Sequence, residues 1–289
     1  SGDSPIRLEK TAHGWDIKMT DVFNKKKEAA DHTFVVCAYQ ESPYLEACIR
    51  SLKKQTVSSR ILIATSTPNR HIEKLAEKYG LELKVSGQKP QISGDWNFAL
   101  SCARTSYVTL AHQDDRYFPE YTETVLKALK KESRPLIAFT DYYETREEKL
   151  VKENRLLKVK RLLLSPLGIQ LFARNIWVRR RILGFGNAIC CPSVSYVVHN
   201  LPKPVFTEYF RSNADWEAWE RISREKGSFV YLKQPLMTHR IHEGSETSQV
   251  IGETGRGQED YALFLKFWPK SAARILEHFY TAGEKSNQL

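Results

Sequence analysis

An α/β fold built on a mostly parallel central sheet is what this sequence predicts, on three observations. Five short apolar runs, rich in β-branched residues and of strand length, recur between residues 33 and 140. Stretches with apolar residues at helical spacing separate them. A hydrophobic content of 41% over 289 residues is enough for one sizeable core with an appendage or small second domain. With only 14 glycines and 12 prolines, and 11% aromatic residues, collagen-like and disordered chains are excluded.

Residues 1–31 are polar and charged, end near the basic patch Lys25, Lys26 and Lys27, and read as an N-terminal extension with one short helix. TFVVCA (33–38) is the first strand. YLEACIRSLKKQT follows as a helix, because Leu45, Cys48, Ile49 and Leu52 fall at i, i+3, i+4 and i+7. The unit recurs as RILIAT (60–65), the helix HIEKLAEKYG (71–80) closed by Gly80, LELKV (81–85), and the helix DWNFALSCA (95–103). YVTLA (107–111), a helix around 120–131 after Pro119, and LIAFT (136–140) complete the series. Strands alternating with helices predict a sheet covered on both faces over 32–145.

The second half of the domain, 146–248, opens differently. Residues 146–181 hold eleven Lys and Arg against three Glu, most of the chain's net charge of +10, and interleave them with Leu156, Leu162, Leu171, Trp177 and other apolar residues. Such a segment suits either an interfacial helix meeting anionic lipid or a helix packed on its own domain with a solvated basic face. A nucleic-acid groove lacks zinc-finger spacing or an RNA-binding signature, so no nucleic-acid partner is expected. Residues 249–289 form a C-terminal helical region, with a Gly-rich piece (Gly252, Gly255, Gly257) and then Leu263, Phe264, Phe267, Trp268, Ile275, Leu276 and Phe279 around Pro269. They pack on the domain, make a homodimer contact, or join 146–181 in facing a membrane.

No apolar run is long enough to span a bilayer, and SGDSPIRLEK lacks a signal core, so the expected location is cytoplasmic or peripheral on the inner face of the cell membrane. Five cysteines without metal-ligand spacing read as buried thiols rather than disulfides.

In open α/β sheets ligands bind beyond the carboxyl ends of the strands, so the loops Tyr39–Pro43, Ser66–Asn69 and His112–Asp115 come first. Asp114 and Asp115, adjacent at the end of a buried strand, repel each other and resist desolvation. A divalent cation resolves that conflict.

VVCAYQESPYLEACIRSLKKQT resembles the opening of the family-2 glycosyltransferases, and HQDD (112–115) their Asp-Asp metal motif. NADWEAWERI (213–222) resembles their acidic acceptor-domain motif, and HRIHEGSETS (239–248) is similar to a closing Arg-x-His-x-x-Ser motif. The likeness covers about residues 33–248, in order. It implies a GT-A fold, with a Rossmann-like nucleotide-binding half over 32–145 and an acceptor half over 146–248. It further implies inverting sugar transfer from a nucleoside-diphosphate sugar, a UDP-sugar foremost, to a glycan or lipid-linked acceptor. Departure of a nucleoside diphosphate develops charge that carboxylate-held Mn²⁺ or Mg²⁺ clamps, and inversion needs one base on the sugar's far face.

On this reading Asp115 is a direct metal ligand, Asp114 contacts metal or ribose, and Asp215 is the general base, with Glu217 and Glu220 as rivals on the same helix. The plain alternatives are a capped turn for the Asp pair and a helix-start carboxylate for Asp215. His242 ligates the metal or pairs with the diphosphate, His239 is a weaker candidate, and Arg240 neutralises the diphosphate. Ala38, Tyr39 and Glu41 in the first loop, and Thr65 and Ser66 after the second strand, are nucleotide contacts. The acidic stretch of relatives is here ATSTPN, and their Arg-Asn pair is DWN, so Asp95 and Asn97 stand as ribose or base contacts, Asp95 alternatively as a helix cap. His112 stands where many relatives have another Asp. No Walker loop or GxGxxG is present. A sugar-nucleotide pyrophosphorylase and a basic binding module for nucleic acid or anionic membrane on a degenerate transferase fold are the competing functions.

Overall fold

The computed structural model describes residues 6–11, 14–19, 30–242 and 253–287. In the extension an antiparallel hairpin, β1 (Ile6–Thr11) and β2 (Gly14–Met19), stands where a short helix was expected. Its register pairs Ile6 with Met19 and Leu8 with Ile17, a period-two apolar pattern that the many charges obscure. The patch Lys25–Lys27 lies outside the described residues.

The domain then runs as the sequence predicts: β3 (His32–Ala38), α1 (Leu45–Lys53), β4 (Arg60–Thr65), α2 (Arg70–Tyr79), β5 (Glu82–Val85), α3 (Ile92–Cys102) and β6 (Tyr107–His112). After a short β7 (Arg116–Tyr117) come α4 (Tyr121–Leu129), β8 (Pro135–Arg146) and β9 (Lys149–Val151). Local chemistry sets several boundaries. Asn69 caps α2 by accepting from the Ile72 N–H, and Gly80 ends it at φ 61°, the left-handed C-cap that glycine tolerates. Helix α3 begins three residues before the expected Asp95, so Asp95 lies in its first turn.

The basic segment folds as α5 (Arg155–Leu164), α6 (Gln170–Ala173) and α7 (Ile176–Leu183). Next come β10 (Ser195–Val197), α8 (Ala214–Ile222) and β11 (Ser228–Ile241), then α9 (Glu253–Phe267) and α10 (Lys270–Asn287).

The main sheet has the order β5-β4-β3-β6-β10-β8-β11-β7, with β9 beside β8. β5, β4, β3 and β6 are mutually parallel, and β10 is antiparallel to both β6 and β8. With β11 parallel to β8, six of the nine strands run one way and their carboxyl ends share one edge.

Alternate residues of β3 enter opposite cores. Val35 joins Leu62, Leu110, Phe139, Trp216 and Trp219 on one face, whereas Phe34 and Val36 join Ile49, Ile63 and Tyr121 on the other. One buried polar chain crosses the sheet: His32 bonds Ser59 at 2.8 Å and Thr109 at 2.8 Å, and Thr109 bonds Ser195 at 2.5 Å. None of the five cysteines forms a disulfide.

The basic-apolar segment packs on its own domain, the second of the two sequence readings. Leu157, Leu164, Ile182 and Leu183 are buried, and Arg179 is buried with them, donating to the carbonyls of Ser223 and Gly227 at 2.9 and 2.6 Å beyond the C-terminus of α8. The other side of the same helices is left exposed at Val159, Leu162, Leu171 and Trp177. Among the described residues no helix is long and apolar enough to cross a membrane.

Candidate active site

Strand order reverses about β3, because β4 lies on one side and β6 on the other, and a crevice opens at such a switch point. An open cleft of about 1590 Å³ occupies it, roomier than the roughly 300–1,000 Å³ of a single small-ligand pocket. The carboxyl ends of β3, β4, β6, β8 and β11 reach it, and Asp215 enters it from the first turn of α8.

Among the nucleotide contacts expected in the first half, Ala38, Tyr39, Thr65 and Asp95 line the cleft. Gln113, inside the HQDD motif, clamps the Tyr39 backbone: its amide oxygen accepts from the Tyr39 N–H at 3.0 Å and its amide nitrogen donates to the Tyr39 carbonyl at 2.9 Å. Ser66 does not line the cleft but donates to the Asp95 carboxylate at 2.8 Å. Burial raises the Asp95 pKa, and the Ser66 bond opposes it.

Two expected contacts fall elsewhere. Glu41 is exposed and off the cleft wall. Asn97 points to the other half, donating to the Phe206 carbonyl at 2.7 Å and accepting from the Phe206 N–H at 3.1 Å, so its amide is committed to the fold. Beside it Trp96 stacks on His112 at 5.3 Å between ring centroids, and both rings form cleft wall. The His112 Nε2 is buried without a hydrogen-bond partner, and burial lowers the pKa of this ring.

The two aspartates of HQDD face different surroundings. Asp114 accepts from Ser42 at 2.6 Å on one oxygen and stands 3.0 Å from His242 Nε2 on the other, with about a quarter of each side chain exposed. Asp115 is only 2% exposed; it accepts from the Arg240 N–H at 2.9 Å and meets His239 Nδ1 at 3.1 Å. Burial disfavours charge on His239, yet the Asp115 carboxylate favours it and the pKa is raised. Arg240 lines the cleft with its guanidinium already engaged by Glu148 and stacked 3.9 Å from the centre of the Tyr44 ring. Glu147 and Glu148, both at positive φ (45° and 60°), turn β8 into β9 in a conformation that usually takes Asn-Gly. From this turn Glu148 pairs with Arg240.

In α8 the three acidic candidates separate by environment. Glu217 meets Lys266 and Thr207, and Glu220 meets Arg180 and Arg224, both nearly inaccessible and away from the cleft wall. Asp215 alone of the three lines the cleft. Burial raises its pKa, against hydrogen bonds from Asn187 at 2.9 Å and the Trp216 N–H at 2.7 Å. Asn187 sits in an irregular loop without periodicity, which is why its role in orienting Asp215 could not be read from sequence. Residues 243–248 of the HRIHEGSETS motif lie outside the described residues.

Among the described residues no three or more His, Cys, Asp or Glu side chains gather into a metal cage. The Asp114–His242 pair nevertheless fits a hard divalent ion: two donor atoms 3.0 Å apart are spaced like neighbouring ligands on an ion with bonds of about 2.1 Å. Mg²⁺ and Mn²⁺ sites of this kind commonly take one or two protein ligands and are completed by substrate phosphates and water.

Comparison with known proteins agrees with this architecture. A protein of Haemophilus influenzae described as an uncharacterized glycosyltransferase is 23% identical over 235 residues, covering 75% of this chain and 67% of its own. The crystal structure of S. aureus TarS 1-349 in complex with UDP-GlcNAc superposes with a TM-score of 0.58 at 14% identity, covering 85% of this chain and 70% of that one. Glucosyl-3-phosphoglycerate synthase from Mycobacterium tuberculosis, solved with Mn²⁺, UDP and phosphoglyceric acid, gives 0.51 at 13% identity over 73% of this chain and 71% of its own. The fold is therefore GT-A. The model of glycosyl transferase family 2 matches residues 33–183, just over half of the chain, and the protein belongs to that family.

Proposed function

We propose that this protein is an inverting, metal-dependent glycosyltransferase that moves a sugar from a UDP-sugar to a glycan or lipid-linked acceptor. The observation carrying this reading is one cleft at the strand carboxyl ends that holds both the Asp114–His242 pair and the partly desolvated Asp215. The UDP and UDP-GlcNAc complexes of TarS and the UDP complex of the mycobacterial synthase support a uridine-nucleotide donor, which this reading seats on the β3–β4 side of the cleft.

Asp114 and His242 would hold Mn²⁺ or Mg²⁺, which when bound offsets charge on the leaving diphosphate. In this assignment Asp115 takes a different part from the direct ligation expected of it. Its carboxylate holds His239 and the Arg240 N–H, and so fixes the end of β11 that carries His242. The Tyr39 backbone, clamped by Gln113, and Thr65 shape the floor for the base, while Trp96 and His112 wall the sugar side. Asp215 accepts the proton of the acceptor hydroxyl as that oxygen attacks the anomeric carbon. A raised pKa brings a carboxylate closer to the operating pH and makes it a stronger base. Asn187 aims it from the side.

A thermal-shift series with UDP, GDP, CMP and dTDP, each with and without Mn²⁺, tests the reading. UDP with Mn²⁺ is expected to stabilise the protein, by about 2.7 kcal/mol at 100 times its dissociation constant. No shift with any nucleotide overturns it in favour of a basic binding module.

A further inference from the structure

We propose that the exposed apolar face around the mouth of the cleft docks on an anionic lipid bilayer, so that the cleft opens at the depth of the headgroups. Of the large hydrophobic side chains exposed among the described residues, all but Val85 and Tyr209 belong to residues 150–185 and 265–279. Scattered exposed hydrophobics are ordinary, but concentration in two segments that meet at one opening marks an interaction surface.

The meeting is explicit. Val159 of α5, Phe185 just after α7 and Phe279 of α10 all line the cleft, and are 54%, 49% and 69% exposed. Val159 shares the outward face of α5 with Leu162, which is 76% exposed, and with the exposed Arg155 and Lys158 at helical spacing. From Phe185 the surface continues through Trp268, whose ring centroid lies 5.3 Å away. It passes to Trp177, because Arg181 lies over both indoles at 4.4 and 5.9 Å.

Charge selects the occupant. Arg179 is buried and Arg146, Arg161, Arg174 and Arg180 are paired with carboxylates, but Lys149 and Arg155 at the cleft and Lys152 beside them are exposed, so a second copy of the chain would bring cations against cations. Anionic headgroups instead neutralise the cations, while the apolar side chains enter the headgroup–acyl boundary. Attachment of this kind is peripheral and needs no crossing helix. That the acceptor is lipid-borne follows only if the transferase reading holds; the docking itself does not depend on it.

The test is sedimentation of the full chain with vesicles of phosphatidylcholine alone, and of phosphatidylcholine with about a third phosphatidylglycerol, at low and high salt. Leu162→Glu with Trp177→Glu, two highly exposed positions off the cleft wall, forms the variant arm. UDP affinity in Mn²⁺ is measured on both proteins. Binding is expected only to the anionic vesicles, to weaken steeply with salt, and to fall at least about tenfold in the variant while UDP affinity stays. Equal sedimentation of parent and variant overturns the inference, as does a solution dimer that the variant dissociates. Vesicle binding without any UDP affinity would instead fail the transferase reading and leave the docking intact.

Discussion

Replacing Asp215 by Asn removes the proposed base at almost constant shape, and its consequences can be worked from the contacts of this one side chain. One carboxylate oxygen accepts the Trp216 N–H at 2.7 Å and the other accepts from Asn187 at 2.9 Å. An amide keeps one acceptor and turns the other position into a donor, so one of the two bonds is lost at about 1 kcal/mol. Burial that raises the Asp215 pKa disfavours the charge that Asn removes, which returns part of that loss. Net stability should therefore stay within about 1 kcal/mol of the parent, read by urea denaturation. Activity should fall about 100-fold or more, the usual worth of general-base catalysis, in an assay of UDP release from a UDP-sugar with water as acceptor. The parent's kcat/KM should decline toward acid with an apparent pKa above the ordinary 3.8 of an aspartate, and UDP affinity should be the same in both proteins. Unchanged turnover in a folded Asp215→Asn protein refutes the base assignment.

Asp114→Ala and His242→Ala should each abolish the Mn²⁺-dependent part of UDP binding in calorimetry while leaving a weaker metal-independent part; full retention in both removes the ligand pair. Asn97→Ala should leave the Phe206 N–H and carbonyl unpartnered and destabilise the fold by about 1–3 kcal/mol for each buried group. UDP affinity is then expected to hold once the protein is folded, and a large affinity loss at unchanged stability would restore Asn97 to the nucleotide site. His32, fully buried, has its pKa pushed down to about 3 by desolvation, against an ordinary 6.5. Above pH 6.5 neither state binds the proton and stability is complete. As pH falls from 6.5 toward 3 only the unfolded chain is protonated, so stability should drop by about 1.4 kcal/mol per pH unit. His32→Gln should flatten that slope in denaturation curves at neutral and mildly acidic pH.

The strand–helix series, its face-to-face burial and the loops at the strand carboxyl ends that border the cleft were legible in the chain, because period-two and period-3.6 patterns, Asn69 and Gly80 are local signals. The hairpin at Ile6–Met19 escaped because charges dilute its alternation. Motif order singled out Asp114, Asp115, Asp215 and His242 but said nothing of the partners that the fold gives each. Both aspartates line the cleft, and which of them is nearly inaccessible depends on β11 and the residue after it, more than a hundred residues downstream, which supply His239 and the Arg240 N–H to Asp115 and His242 to Asp114. Glu217 and Glu220 were equal to Asp215 as letters on one helix; partners from α7, α9 and the turn after α8 neutralise them and leave Asp215 in the cleft. Asn97 looked like a ligand contact until Phe206 claimed its amide. Local periodicity and turn chemistry thus determined the elements. Long-range packing decided the partners and burial of each side chain, because these depend on which groups the fold brings within hydrogen-bond reach and how much water it removes.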